Sequence, residues 1–328
     1  MKKHLNGLSV LFLLFILSAC SNSTTSESEL DNKKLQVGIM LSDAGLGDQS
    51  FSDLGFAGLE KARDELNIEF DYLEIKDTKT YEAGLEELVI QENDLIIGLG
   101  FSMQEAVEEI ASKYPDSTFL LIDAKSDLPN VFNVTFKEEE ASYLLGAIAG
   151  MKTESNVVGF VGGANVPLIQ KFETGFIEGV KSVNAEATII STYAENFGDD
   201  KLGATIAKEM ISQSADYIYP AAGFTGVGVI QEAQKSSIYS FGVDSDQFYL
   251  AEQAVVSSML KKVDVAIFNA VKSLAENGEL SNKEVVLGLK ENGVDIAPIR
   301  VIELSSTELK VLEDLKKEII NESVTILK

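Results

Sequence analysis

The sequence predicts an α/β protein built as two doubly wound, parallel-sheet lobes joined by a hinge, and three observations predict it. Short apolar runs rich in Val, Ile and Leu alternate with segments whose apolar residues recur at helical spacing, which is the βαβα order of layered α/β folds. The runs are apolar throughout and end in Gly or polar residues, as expected of strands covered by helices on both faces. Nearly 300 residues follow Leu35, enough for two cores of ordinary size.

The chain opens with residues 1–19, which have the layout of a signal peptide. A bilayer-spanning helix needs about 20 apolar residues, whereas the run from Leu8 to Leu17 has ten, behind Lys2 and Lys3. Ser18 and Ala19 then stand directly before Cys20, the sole cysteine of the 328 residues. This arrangement resembles the lipobox of bacterial lipoproteins, in which the cysteine is acylated and becomes the first residue of the mature chain. Cys20 is therefore expected to anchor the protein to the extracytoplasmic face of the cell membrane. Residues 20–34, including SNSTTSESELDNKK, carry no apolar periodicity and read as a solvated tether with a reach of about 20 Å.

From Leu35 the runs LQVGIML (35–41), DLIIGLG (94–100), STFLLID (117–123), NVVGFVG (156–162), ADYIYP (215–220) and IYSFGVD (238–244) read as buried parallel strands. Helical stripes lie between and after them: Met103, Ala106, Val107, Ile110 and Ala111, then Val263, Ile267, Ala270, Val271 and Leu274. Both are taken as core-facing. FKEEEASYLLGAIAGMKTES (136–155) reads as a connecting helix where the chain changes lobe, and a C-terminal helix is expected around Leu309 to Ile320. The first lobe is accordingly placed at 35–137 plus about 244–285, and the second at 138–243 plus about 286–328.

Composition removes several functions. A net charge of −25 repels phosphate backbones, so nucleic acid is not an expected partner. The only histidine, His4, lies in the predicted signal, which excludes histidine-dependent triads and zinc sites with His ligands from the mature chain. AAGFTGVGV (221–229) fits neither phosphate-binding glycine pattern. Asp244 and Asp246 stand at calcium-loop spacing, but the glycine at position six and the glutamate at position twelve are missing. No metal or other cofactor is expected.

Ligands of open α/β sheets bind beyond the carboxyl ends of the strands. Those ends are Ser42-Asp43, Gly100-Phe101, Asp123, Gly162-Gly163, Ala222-Gly223 and Asp244. An ionised carboxylate accepts hydrogen bonds at about four lone-pair sites, so one Asp can take both hydroxyls of a vicinal diol. Phe51 and Phe101 could stack on a flat ring, and Asp48 stands near Phe51 in GDQSFSDLGF. Each Asp taken singly is as well explained as a helix cap or turn former; the convergence of three at strand ends favours a ligand.

VGIMLSDAGLGDQSFSDLGFAGLEKA, YPDSTFLLID, NVFNVTFKEEEASYLLGAIAG, VVGFVGG, AAGFTGVGV and FGVDSDQ followed by SSMLKKVDVAI together resemble the basic membrane protein (BMP) family of substrate-binding lipoproteins, nearly throughout the mature chain. The resemblance implies a type I periplasmic-binding-protein fold whose lobes close on a nucleoside, delivered by a monomeric, lipid-anchored receptor to an ABC permease. It implies that Asp43, Asp244 and Lys261 hold the ribose, with Lys262 the alternative to Lys261. Phe51 would stack on the base and Asp123 would face it. Two departures touch the Gly-rich segment: AGFTG stands where the family has AGGTG, and Ile230 stands where an aromatic is usual. Phe224 then either replaces the second stacking ring or narrows the pocket. Two other functions remain in view, a sensory lipoprotein of the same fold, which those departures favour, and an enzyme such as a nucleoside hydrolase, which the lack of histidine disfavours.

Overall fold

The structure, a computed structural model, describes residues 34–324 and 326. The expected signal peptide, Cys20 and all of the tether except Lys34 lie outside the described residues. The first half of the chain runs β1 (Leu35–Met40), α1 (Phe51–Leu66), β2 (Ile68–Leu73), α2 (Ile75–Thr78), α3 (Tyr81–Ile90), β3 (Leu95–Leu99), α4 (Gln104–Lys113), β4 (Phe119–Ile122), β5 (Val131–Phe136) and α5 (Glu138–Lys152). It continues through β6 (Val157–Gly162), α6 (Pro167–Val183), β7 (Thr188–Tyr193), α7 (Asp200–Ser212), β8 (Tyr217–Ala221), α8 (Gly223–Lys235), β9 (Tyr239–Asp244) and β10 (Val255–Lys261). The last stretch comprises α9 (Val263–Asn277), β11 (Glu284–Leu287), β12 (Val294–Ile296) and α10 (Ser306–Ile320).

Two six-stranded sheets result, ordered β11-β5-β4-β3-β1-β2 and β12-β10-β9-β8-β6-β7. Every pairing is parallel except that of β12 with β10. The first lobe reverses strand order at β1 and the second at β6, so each has its ligand-binding switch point beside the carboxyl end of that strand. The six strands expected from sequence all form. Both faces of the central strands are covered, one by the main core, the other by separate clusters around Met103, Val107 and Ile110 in the first lobe and around Ile206, Ala207 and Met210 in the second.

The return to the first lobe falls later than expected. Residues 244–261 stay in the second lobe, because β10 continues that sheet beside β9, with Met259 opposite Val243. The chain crosses at Lys261–Val263, α9 packs on α1 in the first lobe, β11 joins β5, and the chain then returns through β12. Three crossings therefore form the hinge: Phe136 to α5, β10 to α9, and β11 to β12.

The helices α5 and α6 pack closely, with glycines at the contact. A methyl group added at Gly179 would lie 2.0 Å from the Tyr143 carbonyl oxygen, and one at Gly146 would lie 2.1 Å from that of Phe176. Neither backbone can yield cheaply, so the packing fixes α5 on the second lobe and with it Glu138 in its first turn. Gly179→Ala is expected to lower stability by about 1–3 kcal/mol through overpacking; a denaturant midpoint equal to that of the wild type would contradict this close contact.

Candidate solute-binding cleft

A cleft opens between the carboxyl ends of the two sheets. It is lined from the first lobe by Asp43, Asp48, Phe51, Phe101 and Asp123, and from the second by Phe172, Phe197, Gly223, Asp244 and Lys261, among others. Its space amounts to about 610 Å³ including the mouth. The lobes thus close on a narrow slot. Phe224, on the first turn of α8, is not among the lining residues. The aromatic surface of the second lobe comes instead from Phe172 and Phe197.

The deep part of the slot is ionic. Lys261, the last residue of β10, is 1% exposed. Its ammonium donates to Asp123 Oδ2 at 2.5 Å and lies 3.0 Å from Glu138 Oε1. Phe51, Phe136 and Phe172 surround the charge with ring centroids 5.1, 5.0 and 5.6 Å away, close enough for cation–π attraction. Burial works against the ammonium, but Asp123, Glu138 and Asp244 outweigh it and hold its pKa above the usual lysine value.

The carboxylates feel the same enclosure. Burial pushes Asp123 up to about 6 against the pull of Lys261. Asp244 is also raised, by burial, with Lys261 and the Ser50 hydroxyl opposing. Asp123 Oδ1 is buried without a hydrogen-bond partner, an acceptor facing a site that could supply a donor. Both aspartates sit in the left-handed region, with φ of 68° at Asp123 and 64° at Asp244. That conformation is tolerated by Asp better than by most residues, and it turns each strand end sharply.

The mouth is different in kind. Asp43 accepts a hydrogen bond from the Tyr81 hydroxyl at 3.0 Å and one from Ser102 at 3.5 Å. Phe101 and Phe197 face each other across the lobes, their centroids 6.3 Å apart and their planes tilted by 58°. A flat ring between two others needs about 7 Å, so modest separation and rotation of these rings would admit one. Gly223 has φ of 54°, and a side chain there would meet the Phe197 carbonyl oxygen at 3.1 Å.

Asp48 has a structural task as well as a place in the lining. Its carboxylate accepts from the backbone N–H groups of Ser50, Ser52 and Asp53 at 2.9, 2.8 and 3.2 Å. It thereby caps α1, the helix that carries Phe51. The loop it braces also reaches across the cleft. Ser50 donates to Asp244, and the Gln49 carbonyl accepts from Gln247 Nε2 at 2.9 Å and from Ser245 Oγ at 3.3 Å.

Sequence reasoning missed Glu138, Phe172 and Phe197. Phe197 follows β7, an edge strand of partly or fully exposed residues whose pattern does not declare a strand, so the sequence does not mark its carboxyl end. Glu138 is one of three successive glutamates in the first turn of α5, where acidic residues are expected in any helix.

Two sheets with matched switch points, a cleft between their carboxyl ends and a buried mix of carboxylates, ammonium and aromatic rings define a two-lobed solute-binding protein of the type I periplasmic class. Residues 35–328 match the family model for Bmp, described as ABC transporter substrate-binding protein PnrA-like, and the chain belongs to that family. A crystal structure of an ABC transporter system solute-binding protein from Aeropyrum pernix K1 superposes with a TM-score of 0.82 at 28% identity, covering 89% of this chain and 92% of that one. An uncharacterised lipoprotein of Pyrococcus abyssi is 33% identical over 87% of this chain and 74% of its own length. The ABC transporter nucleoside-binding protein BmpA of Lactococcus lactis subsp. cremoris is 28% identical over 99% of both. The protein is a substrate-binding protein, not an enzyme. Among the described residues no helix is long and apolar enough to cross a membrane.

Proposed function

We propose that the protein is a lipid-anchored, extracytoplasmic receptor that closes on a nucleoside, a purine nucleoside in the first instance, and as a monomer delivers it to an ABC permease. The observation that carries this reading is the division of one slot into an ionic floor, Asp123, Asp244 and Lys261, and an aromatic mouth, Phe101 and Phe197. A ribose diol needs acceptors with a donor beside them; a base needs ring faces. The name of the Lactococcus relative points the same way.

The resemblance assigns Asp43 to the ribose and Asp123 to the base, whereas the neighbourhoods favour the reverse. Asp123 shares Lys261 with the floor, while Asp43 is tied to Tyr81 and Ser102 beside Phe101. The departures that spoke for a sensory role do not reach the lining: Phe224 lies outside it, and Ile230 is fully buried with Ala233, Ala251, Ala254 and Val255.

Calorimetry with adenosine, 2′-deoxyadenosine and 2′,3′-dideoxyadenosine tests the reading. Each hydroxyl removed should weaken binding, since a hydrogen bond to a charged group contributes about 1.5–3 kcal/mol; equal affinity for all three would remove the ribose from the floor. Phe101→Ala should weaken every nucleoside by a similar factor, because a ring face does not read base identity. Base stacking on aromatic side chains suggests about 1–3 kcal/mol, and unchanged titrations would remove the base from the aromatic mouth. Cys20→Ala should fold normally and move from the membrane to the soluble fraction, as two acyl chains are needed for stable anchoring; retention at the membrane after signal cleavage would refute the lipid anchor.

A further inference from the structure

We infer that Glu138, a residue outside the cleft lining, is a positioning residue that holds the Lys261 ammonium from behind and so leaves Asp244 free to accept ligand hydroxyls. This rests on the proposed ribose site.

The charges around Lys261 divide between the two lobes. Glu138 opens α5, which packs on α6 and β10; Lys171 is on α6, Lys261 ends β10 and Asp244 ends β9. All four belong to the second lobe. Asp123, at the end of β4 in the first lobe, is the one partner of Lys261 that must withdraw when the lobes part.

Glu138 has no solvent exposure. Its Oε1 lies 3.0 Å from Lys261 Nζ, an ion-pair contact without hydrogen-bond geometry, and its Oε2 accepts from Lys171 Nζ at 3.2 Å. Lys171 in turn donates to the Phe136 carbonyl oxygen at 3.1 Å, at the first hinge crossing. The carboxylate is therefore clamped between two lysines, one of them tied to the hinge backbone.

A lysine in an apolar, aromatic setting needs an anion in every conformation. If Asp123 were the sole counter-ion besides Asp244, opening would drive the ammonium onto Asp244 and consume the acceptor that the ligand requires. Glu138 removes that conflict. With its charge answered from behind, Lys261 keeps its place in the cleft floor in the open and the closed form alike. Asp244 makes no ion pair with it, taking only the Ser50 hydroxyl, which a ligand hydroxyl can replace.

A double-substitution cycle tests this with two readouts. In the absence of ligand, Glu138→Gln and Lys261→Met should each lower the melting temperature, and the combination should be more stable than Lys261→Met alone, because the Glu138 carboxylate is no longer left without its lysine, while Asp123 still is. With adenosine as the probe, Glu138→Gln should reduce affinity at least tenfold yet change affinity for 2′,3′-dideoxyadenosine by less than threefold. In the Lys261→Met background it should have no further effect on adenosine. A purely structural role for Glu138 would weaken both ligands equally and give additive melting temperatures, and that result overturns the inference. Should no nucleoside bind the wild type, the proposed function falls; additivity or recovery in the ligand-free cycle then decides the Glu138–Lys261 pairing by itself. If Glu138→Gln does not fold, the double variant against Lys261→Met alone supplies the same decision: a double variant no more stable than the single contradicts the pairing.

Discussion

Asp244→Ala is expected to reduce adenosine affinity by a few hundred-fold or more. Asp244 stands on the cleft floor, and two charge-assisted hydrogen bonds from a ribose contribute about 1.5–3 kcal/mol each. The free protein should lose little stability, since Lys261 keeps Asp123 and Glu138 as partners. Alanine in the left-handed conformation at φ of 64° costs about 1 kcal/mol, so Asp244→Asn, which tolerates that backbone, separates strain from recognition. The dideoxynucleoside is the internal control: it is expected to bind the wild type more weakly than adenosine and to lose little on substitution. If adenosine and 2′,3′-dideoxyadenosine are both unaffected by Asp244→Ala, the residue is a turn former.

Lys261→Met should have the largest effect on the protein itself. Methionine fills similar space and leaves Asp123 and Glu138, both nearly or fully buried, without their shared cation. Breaking a buried pair by removing one partner costs about 3–5 kcal/mol, which for a chain of this size corresponds to a fall of roughly 5–8 °C in melting temperature. Adenosine affinity should fall as well, since the floor loses its donor. A melting temperature within a degree or two of the wild type would mean that the ammonium contributes no net stabilisation.

The fold was legible where burial on two faces writes an unbroken apolar run, as in DLIIGLG and STFLLID. It was not legible at the sheet margins. β2 and β7 are edge strands in which every residue but Ile68 is partly or fully exposed, and β11 and β12 have four and three residues, too few for a period to show. β10 is buried almost throughout, but nothing local says whether a strand after a long loop joins the same sheet or the next, so the return crossing was placed at Asp244 instead of Lys261.

The site shows the same division. Strand ends are visible in sequence, so Asp43, Phe101, Asp123, Gly223 and Asp244 could be named, and the structure brings them to one cleft. Lys261 came from the family resemblance. Phe224 follows from the family resemblance, as the departure AGFTG, yet it lies outside the lining, and Phe197 stands across from Phe101 instead. Asp48 was grouped with the ligand residues although its oxygens are engaged by the start of α1. Glu138 had no sequence signal, because what makes it functional is its partner 123 residues later, and no local pattern encodes that.

The central claim is that the cleft recognises a nucleoside as a whole, ribose on the ionic floor and base in the aromatic mouth. Thermal unfolding of the purified protein with nucleosides, free bases and free ribose tests it most directly. A ligand at 100 times its dissociation constant adds about 2.7 kcal/mol to stability, a shift of several degrees. Purine nucleosides should raise the melting temperature by that much, while adenine and ribose, each meeting half of the site, should leave it nearly unchanged at the same concentration. Stabilisation by a free sugar or base as large as that by the nucleoside, or by no nucleoside at all, would contradict the account.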